Sequence, residues 1–109
     1  METKSLFIGL MGDSPMIRVL DYLLTERELD FSITDMADNS GIGRATLYRI
    51  WDNLIKNEII VHTRVIGKAK LFKLNTSNSK IKKLIEIYDM LILEELKTKS
   101  KKEENIILR

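Results

Sequence analysis

The chain has 109 residues, with 18 Lys plus Arg, 16 Asp plus Glu, a single His, a formal net charge of +2 and no cysteine. That length suits one domain with a modest core, and the missing cysteines exclude disulfides, thiol redox sensing, zinc-thiolate sites and cysteine nucleophiles. Charges interrupt every apolar run after a few residues, so neither a signal peptide nor a membrane span is expected, and the cytoplasm is the expected location.

In chain order, residues 3–11 place Leu6, Phe7 and Leu10 at helical spacing on a stretch too short to hold its shape alone. Gly12 and Asp13 break it. Ser14-Pro15 then starts a helix, since Ser caps free amides and Pro is tolerated at the first position. That helix is predicted from Pro15 to about Glu26, with Ile17, Leu20, Leu23 and Leu24 as its buried stripe. Phe31 is a very short strand. Ser32 to Asp35 match a capping box, which opens a helix over Ile33 to Asn39.

Gly41-Ile42-Gly43 is the turn into a further helix, from Arg44 to about Lys56. Residues 33–53 thus read as a helix-turn-helix. Met36, Ala37, Ile42, Leu47 and Ile50 are small or apolar where two steeply crossed helices must touch, and Gly41 is free to take the positive φ of a sharp turn. Leu54, with Trp51 or Ile55, completes the inward face.

Beyond Asn57 the period becomes extended, IIVHTRVI, then Gly67-Lys68, then AKLFKLN, which is a hairpin. Alternation assigns Ile60, His62, Arg64 and Ile66 to one face and Ile59, Val61, Thr63 and Val65 to the other. A two-stranded ribbon is marginal alone and must lean on the helices. Asn75 to Ser79 form a cap cluster. A long helix follows, with Ile81, Leu84, Ile85, Tyr88, Leu91, Ile92 and Leu96 as one stripe and Ile87, Met90 and Leu93 as a second. That is more apolar surface than a monomer core needs, and it points to a second copy of the chain. The last stretch is highly charged, either a frayed helix end or a disordered tail.

Charge is segregated along the chain. Residues 1–41 carry 3 basic and 8 acidic groups, residues 42–75 carry 7 and 2, and residues 76–109 carry 8 and 6. The basic excess begins where the second helix of the motif begins, as expected of a domain that turns one face to phosphates.

On the residues SP at 14–15, TDMA at 34–37, GIGRATLYR at 41–49, LIKNEII at 54–60 and GKAKLFKLN at 67–75, the chain resembles the winged helix-turn-helix transcriptional regulators, in particular small archaeal and bacterial ones of the MarR and ArsR kind. The resemblance implies a mainly α fold with a small β-hairpin. It divides the chain into an N-terminal helix in 1–13 with a dimer contact, a winged helix-turn-helix domain in 14–75, a C-terminal dimerisation helix in 76–97 and a charged tail in 98–109. It also implies a homodimer on double-stranded DNA, with the reading helix in the major groove and the wing on the backbone or minor groove. Two positions depart from the family. Gly43 stands where Ser is common, which removes one possible phosphate contact, and Glu58 stands where Gly is common, so Asn57 is expected to take the left-handed conformation instead.

The expected DNA contacts are Arg44, Thr46, Tyr48, Arg49 and Asn53 on the reading helix and Arg64, Lys68 and Lys70 on the wing. Arg binds guanine O6 and N7 bidentately, and cations at a wing neutralise phosphates. A lone His62 in a strand reads as structural, Asp35 and Asp38 as a cap and a solvent-facing acid, and the two turn glycines lie between helices rather than after a buried strand. No enzyme, metal, cofactor or membrane is therefore expected. The rival readings are a winged helix that docks protein in transcription or replication machinery, and a binder of RNA or replication origins. The effector, if one exists, has no signature in the sequence.

Overall fold

The computed structural model describes residues 5–107, with side chains from 5 to 99. The outer ends of the N-terminal segment 1–13 and of the tail 98–109, namely residues 1–4 and 108–109, lie outside the described residues. The elements run α1 Leu6–Met11, α2 Pro15–Thr25, α3 Ile33–Ser40, α4 Arg44–Lys56, β1 Ile60–Ile66, β2 Ala69–Leu74 and α5 Ser79–Ile107.

Local chemistry sets the helix starts. The Ser5, Ser14 and Ser32 hydroxyls accept from the amides of Ile8, Ile17 and Asp35 at 3.1, 3.2 and 3.1 Å, each three residues on. These bonds satisfy amides that the first helical turn leaves without partners. Pro15 occupies the first turn of α2 as expected. That helix is the centre of the core: Val19, Leu20, Leu23 and Leu24 are all buried, each contributing about 1.5–3 kcal/mol by leaving water. Around them lie Phe7 of α1, Met36 and Ala37 of α3, Leu47 and Leu54 of α4, and Ile81 and Tyr88 of α5. Trp51 rather than Ile55 completes the inner face of α4; it meets Phe72 edge-on at 4.8 Å, while Ile55 is exposed.

Two helices end in the same hydrogen-bond pattern on different residues. At the end of α3, the Ile42 amide reaches the Ala37 carbonyl at 3.1 Å and the Gly41 amide reaches Asp38 at 3.2 Å, with Gly41 at φ 71°. At the end of α4, the Ile59 amide reaches Leu54 at 2.9 Å and the Glu58 amide reaches Ile55 at 3.0 Å, with Glu58 at φ 53°. Both are Schellman closures. The expectation that Asn57 takes the left-handed conformation is therefore corrected, since Asn57 has φ −89°. The reason lies in the cap cluster. The Asn75 and Asn78 side-chain amides both donate to the Glu58 carbonyl at 3.0 Å, and Asn78 also reaches the Asn57 carbonyl at 3.1 Å. Tertiary hydrogen bonds hold the strained residue in place.

The hairpin pairs Ile60 with Leu74 and Ile66 with Ala69 around the two-residue turn Gly67-Lys68, where Gly67 supplies the positive φ of 60°. Strict alternation fails at one point. The register slips between His62 and Arg64, leaving Thr63 as a bulge. Phe31 adds one rung on the other side of β2, exchanging two 2.8 Å hydrogen bonds with Phe72. With Leu71, Phe72 and Leu74 buried, the ribbon leans on α2 and α3 through β2.

α5 continues unbroken beyond residue 97 to Ile107, about 43 Å of helix at the usual rise. Its first half joins the core. Tyr88 meets Phe7 edge-on at 5.9 Å, and Arg27 grips the Asp89 carboxylate at 2.8 and 3.2 Å. From Ile92 to Lys99 every side chain is exposed, including Ile92 and Leu96 of the first stripe.

Candidate nucleic-acid interface

Because α4 buries Leu47 and Leu54 and half-buries Ile50 and Trp51, its opposite face is left to solvent. Arg44, Tyr48, Arg49 and Asn53 are exposed there, and Tyr48 shows 58% of its surface despite being aromatic. Thr46 differs. It is half-buried at the edge of this face, in a cleft with Ser14, Pro15, Ile42 and Gly43. Asn53 is engaged at the far end of the helix, where the Asn57 side-chain amide donates to both its carbonyl and its side-chain oxygen.

A projection at about 100° per residue places Ala45, Asp52 and Lys56 between Tyr48 and Arg49 on the same exposed face, and all three are exposed. The list drawn from hydrogen-bonding character missed them. The same projection, applied once the inner face was assigned, would have found them. Ala45 offers a methyl group suited to thymine, and Asp52 an acceptor suited to the cytosine amino group.

The first turn of α4 has no side-chain cap, since Gly43 has no side chain to offer. Its free amides face the region where an oxyanion would be stabilised by the helix dipole.

The wing brings its cations together unequally. Lys68 and Lys70 are exposed, make no ion pair among the described residues, and share a cleft with Ser32, Ile33 and Thr34 at the start of α3. Arg64 is engaged: Nε and Nη2 donate to the two carboxylate oxygens of Asp30 at 2.9 and 3.1 Å. Thr63 Oγ1 donates to the same carboxylate at 2.6 Å, so the bulge lets two consecutive side chains reach one acceptor. The Arg64 guanidinium, followed by the Thr63 hydroxyl, draws the Asp30 carboxyl down from 3.8 to about 2. His62 lies edge-on to Phe72 at 5.4 Å. Among the described residues no group of three His, Cys, Asp or Glu is placed to hold a metal ion.

A helix-turn-helix carrying a hairpin wing and flanking helices defines the winged helix-turn-helix class, and solved structures share the arrangement. MepR, a transcription regulator of the Staphylococcus aureus multidrug efflux pump MepA, superposes with a TM-score of 0.61 at 19% identity, over 93% of this chain and 75% of that one. NadR, solved in complex with 4-hydroxyphenylacetate, gives 0.61 at 16% identity, over 99% and 89%. The antimony-specific transcriptional repressor AntR gives 0.57 at 16% identity, over 84% and 78%. At such identities the likeness establishes the fold, and the resemblance to winged-helix regulators holds at that level. No protein-family model matches the chain, and no curated protein matches it in sequence.

Proposed function

We propose that this chain is a sequence-specific regulator of transcription that binds double-stranded DNA as a homodimer. The observation that carries this reading is the division of α4: one face is locked into the core by Leu47 and Leu54, while the other displays Arg44, Tyr48 and Arg49 to solvent, and Lys68 and Lys70 of the wing are exposed as well. α4 enters the major groove, where Arg44 and Arg49 read base edges and Thr46, Tyr48 and Asn53 flank them. Lys68 and Lys70 neutralise phosphates. Arg64 acts through Asp30, fixing the angle at which the wing meets the backbone.

Dimerisation is supported by apolar side chains that the monomer leaves uncovered, Leu6, Leu10 and Met11 on α1 and Ile87, Met90, Leu93 and Leu96 on α5. Two-fold pairing sets the reading helices about 34–36 Å apart, one turn of the duplex, or a multiple of that. Among the described residues no helix is long and apolar enough to cross a membrane, and the reading places the protein with its DNA in the cytoplasm. The structural neighbours named above as regulators add support from fold.

Selection of bound sites from random duplexes by the full chain tests the reading. The expected product is a palindromic motif whose binding weakens steeply with salt. Recovery of no preferred duplex, or of binding indifferent to salt, overturns it.

A further inference from the structure

The tip of the wing carries apolar side chains that the fold leaves uncovered. Val65 and Ile66 are 54% and 55% exposed, directly ahead of the turn at Gly67 and Lys68. Their cross-strand neighbours differ. Val65 pairs with Lys70, whose hydrocarbon stem is long enough to shield it, whereas Ile66 pairs with Ala69, which has only a methyl group to offer. Strand propensity does not demand an isoleucine here, since Thr63 in the same strand is β-branched and polar.

The charge around the tip selects what can cover it. Residues 59–75 contain Arg64, Lys68, Lys70 and Lys73 and no Asp or Glu. Lys68 stands in the turn and Lys70 one rung below Ala69, both exposed. An apolar side chain ringed by cations is complementary to a surface that is anionic outside and apolar within, and a nucleic-acid duplex, with phosphates outside and stacked bases within, is such a surface. The ribbon beneath the tip is held firmly. Arg64 and Thr63 both reach Asp30, Phe31 exchanges two 2.8 Å hydrogen bonds with Phe72, and Leu71, Phe72 and Leu74 are buried. A support that does not yield passes strain to whatever the tip enters.

We propose that Ile66 is a wedge that partly unstacks a base step from the minor groove and kinks the duplex. This role rests on the DNA-binding reading above and adds an active distortion of the DNA to it. The two strands of the ribbon lie about 4.8 Å apart, so with their side chains the tip is wider than an undistorted minor groove of about 6 Å. Insertion of an apolar side chain between bases opens that groove and bends the duplex toward the major groove, by about 20–90° in proteins that do so. Lys68 and Lys70 hold the phosphates beside the opened step. Pyrimidine–purine steps, TA among them, unstack at least cost, so the wing selects such a step beneath it without a hydrogen bond to any base.

A selected duplex of about 30 base pairs, with 2-aminopurine replacing adenine at one step at a time and dyes on its two ends, tests the wedge. On binding of the full chain, 2-aminopurine fluorescence should rise at one step beneath each wing, and energy transfer between the ends should increase. Ile66→Ala should abolish both signals and Ile66→Leu should keep them, while Ile66→Ala leaves the salt slope of binding unchanged because no phosphate contact is lost. Anisotropy on the same samples reports binding separately. Binding without a rise at any step, or a rise that survives Ile66→Ala, overturns the wedge and leaves the DNA-binding reading standing. A parent that binds no duplex, or for which none is preferred, overturns both.

Discussion

Arg64 and Asp30 form a two-pronged ion pair, 2.9 and 3.1 Å between guanidinium nitrogens and carboxylate oxygens, that ties the first wing strand to the segment ahead of α3. Side chains of this kind at a wing invite reading as phosphate ligands. On the function proposed above, the pair makes Arg64 a positioning residue. Arg64→Ala and Asp30→Ala should therefore weaken DNA binding to a similar degree, and the double variant should be no weaker than either single one. Fluorescence anisotropy on a selected duplex measures this. Tighter binding by Asp30→Ala, from a released Arg64, would instead make Arg64 a direct phosphate ligand.

The same pair predicts a pH dependence. Asp30 has its carboxyl held at about 2 against an ordinary 3.8, and Arg27 lowers that of Asp89 in the same direction. A depressed carboxyl favours the ionised, folded state, so its contribution is complete above the ordinary value and fades as pH falls from about 4 to about 2. Thermal melts across that interval should show the parent losing stability more steeply than Asp30→Asn. Parallel curves for the two proteins would contradict this.

Reading and anchoring contacts should separate by mutation. Arg44→Ala should cost about 1–3 kcal/mol on the preferred duplex and relax the preference at one base pair. Lys68→Ala should weaken all duplexes alike and flatten the salt slope by about one unit. Mobility-shift titrations on selected and random duplexes at several salt concentrations distinguish the two patterns. If both variants bind like the parent, the assignment of roles is wrong.

The two Schellman closures make a matched test of backbone strain. Gly41→Ala places a side chain in the left-handed region and should destabilise by about 1–2 kcal/mol, although the added methyl meets only Arg18 Nη1 at an ordinary 3.5 Å. Glu58→Gly should act oppositely, gaining up to about 1 kcal/mol, because relief of strain is partly offset by the freer unfolded chain. Urea denaturation gives both values; a loss at Glu58→Gly would mean that the Glu side chain itself stabilises the cap.

Leu93 is 57% exposed on the outer stripe of α5. Leu93→Glu should leave the winged domain folded, halve the mass measured by light scattering and weaken binding to a palindromic duplex far more than to a single half-site. A dimer that persists with unchanged affinity would move the interface elsewhere.

Local chemistry in the sequence was enough to determine most of the scaffold. Ser14-Pro15, the Ser32 cap, Gly41 and the period change after Asn57 placed α2, α3, α4 and the hairpin within a residue or two, because caps and periodicity act through neighbours in the chain. It likewise determined which face of α4 is polar, from the alternation of Leu47, Ile50 and Leu54 with Arg44, Tyr48 and Arg49.

Three features were decided only by the tertiary structure. Glu58 rather than Asn57 became left-handed because Asn75 and Asn78, distant in sequence, supply the donors that hold its carbonyl. Thr63 left the strand alternation, and Asp30 gathered it with Arg64. Thr46 was drawn into a cleft with the start of α2, while Ala45, Asp52 and Lys56 were turned outward. In each case the partner lies far along the chain. No local pattern encodes which distant donor or carboxylate will arrive, and that choice belongs to the packing of the helices around α2.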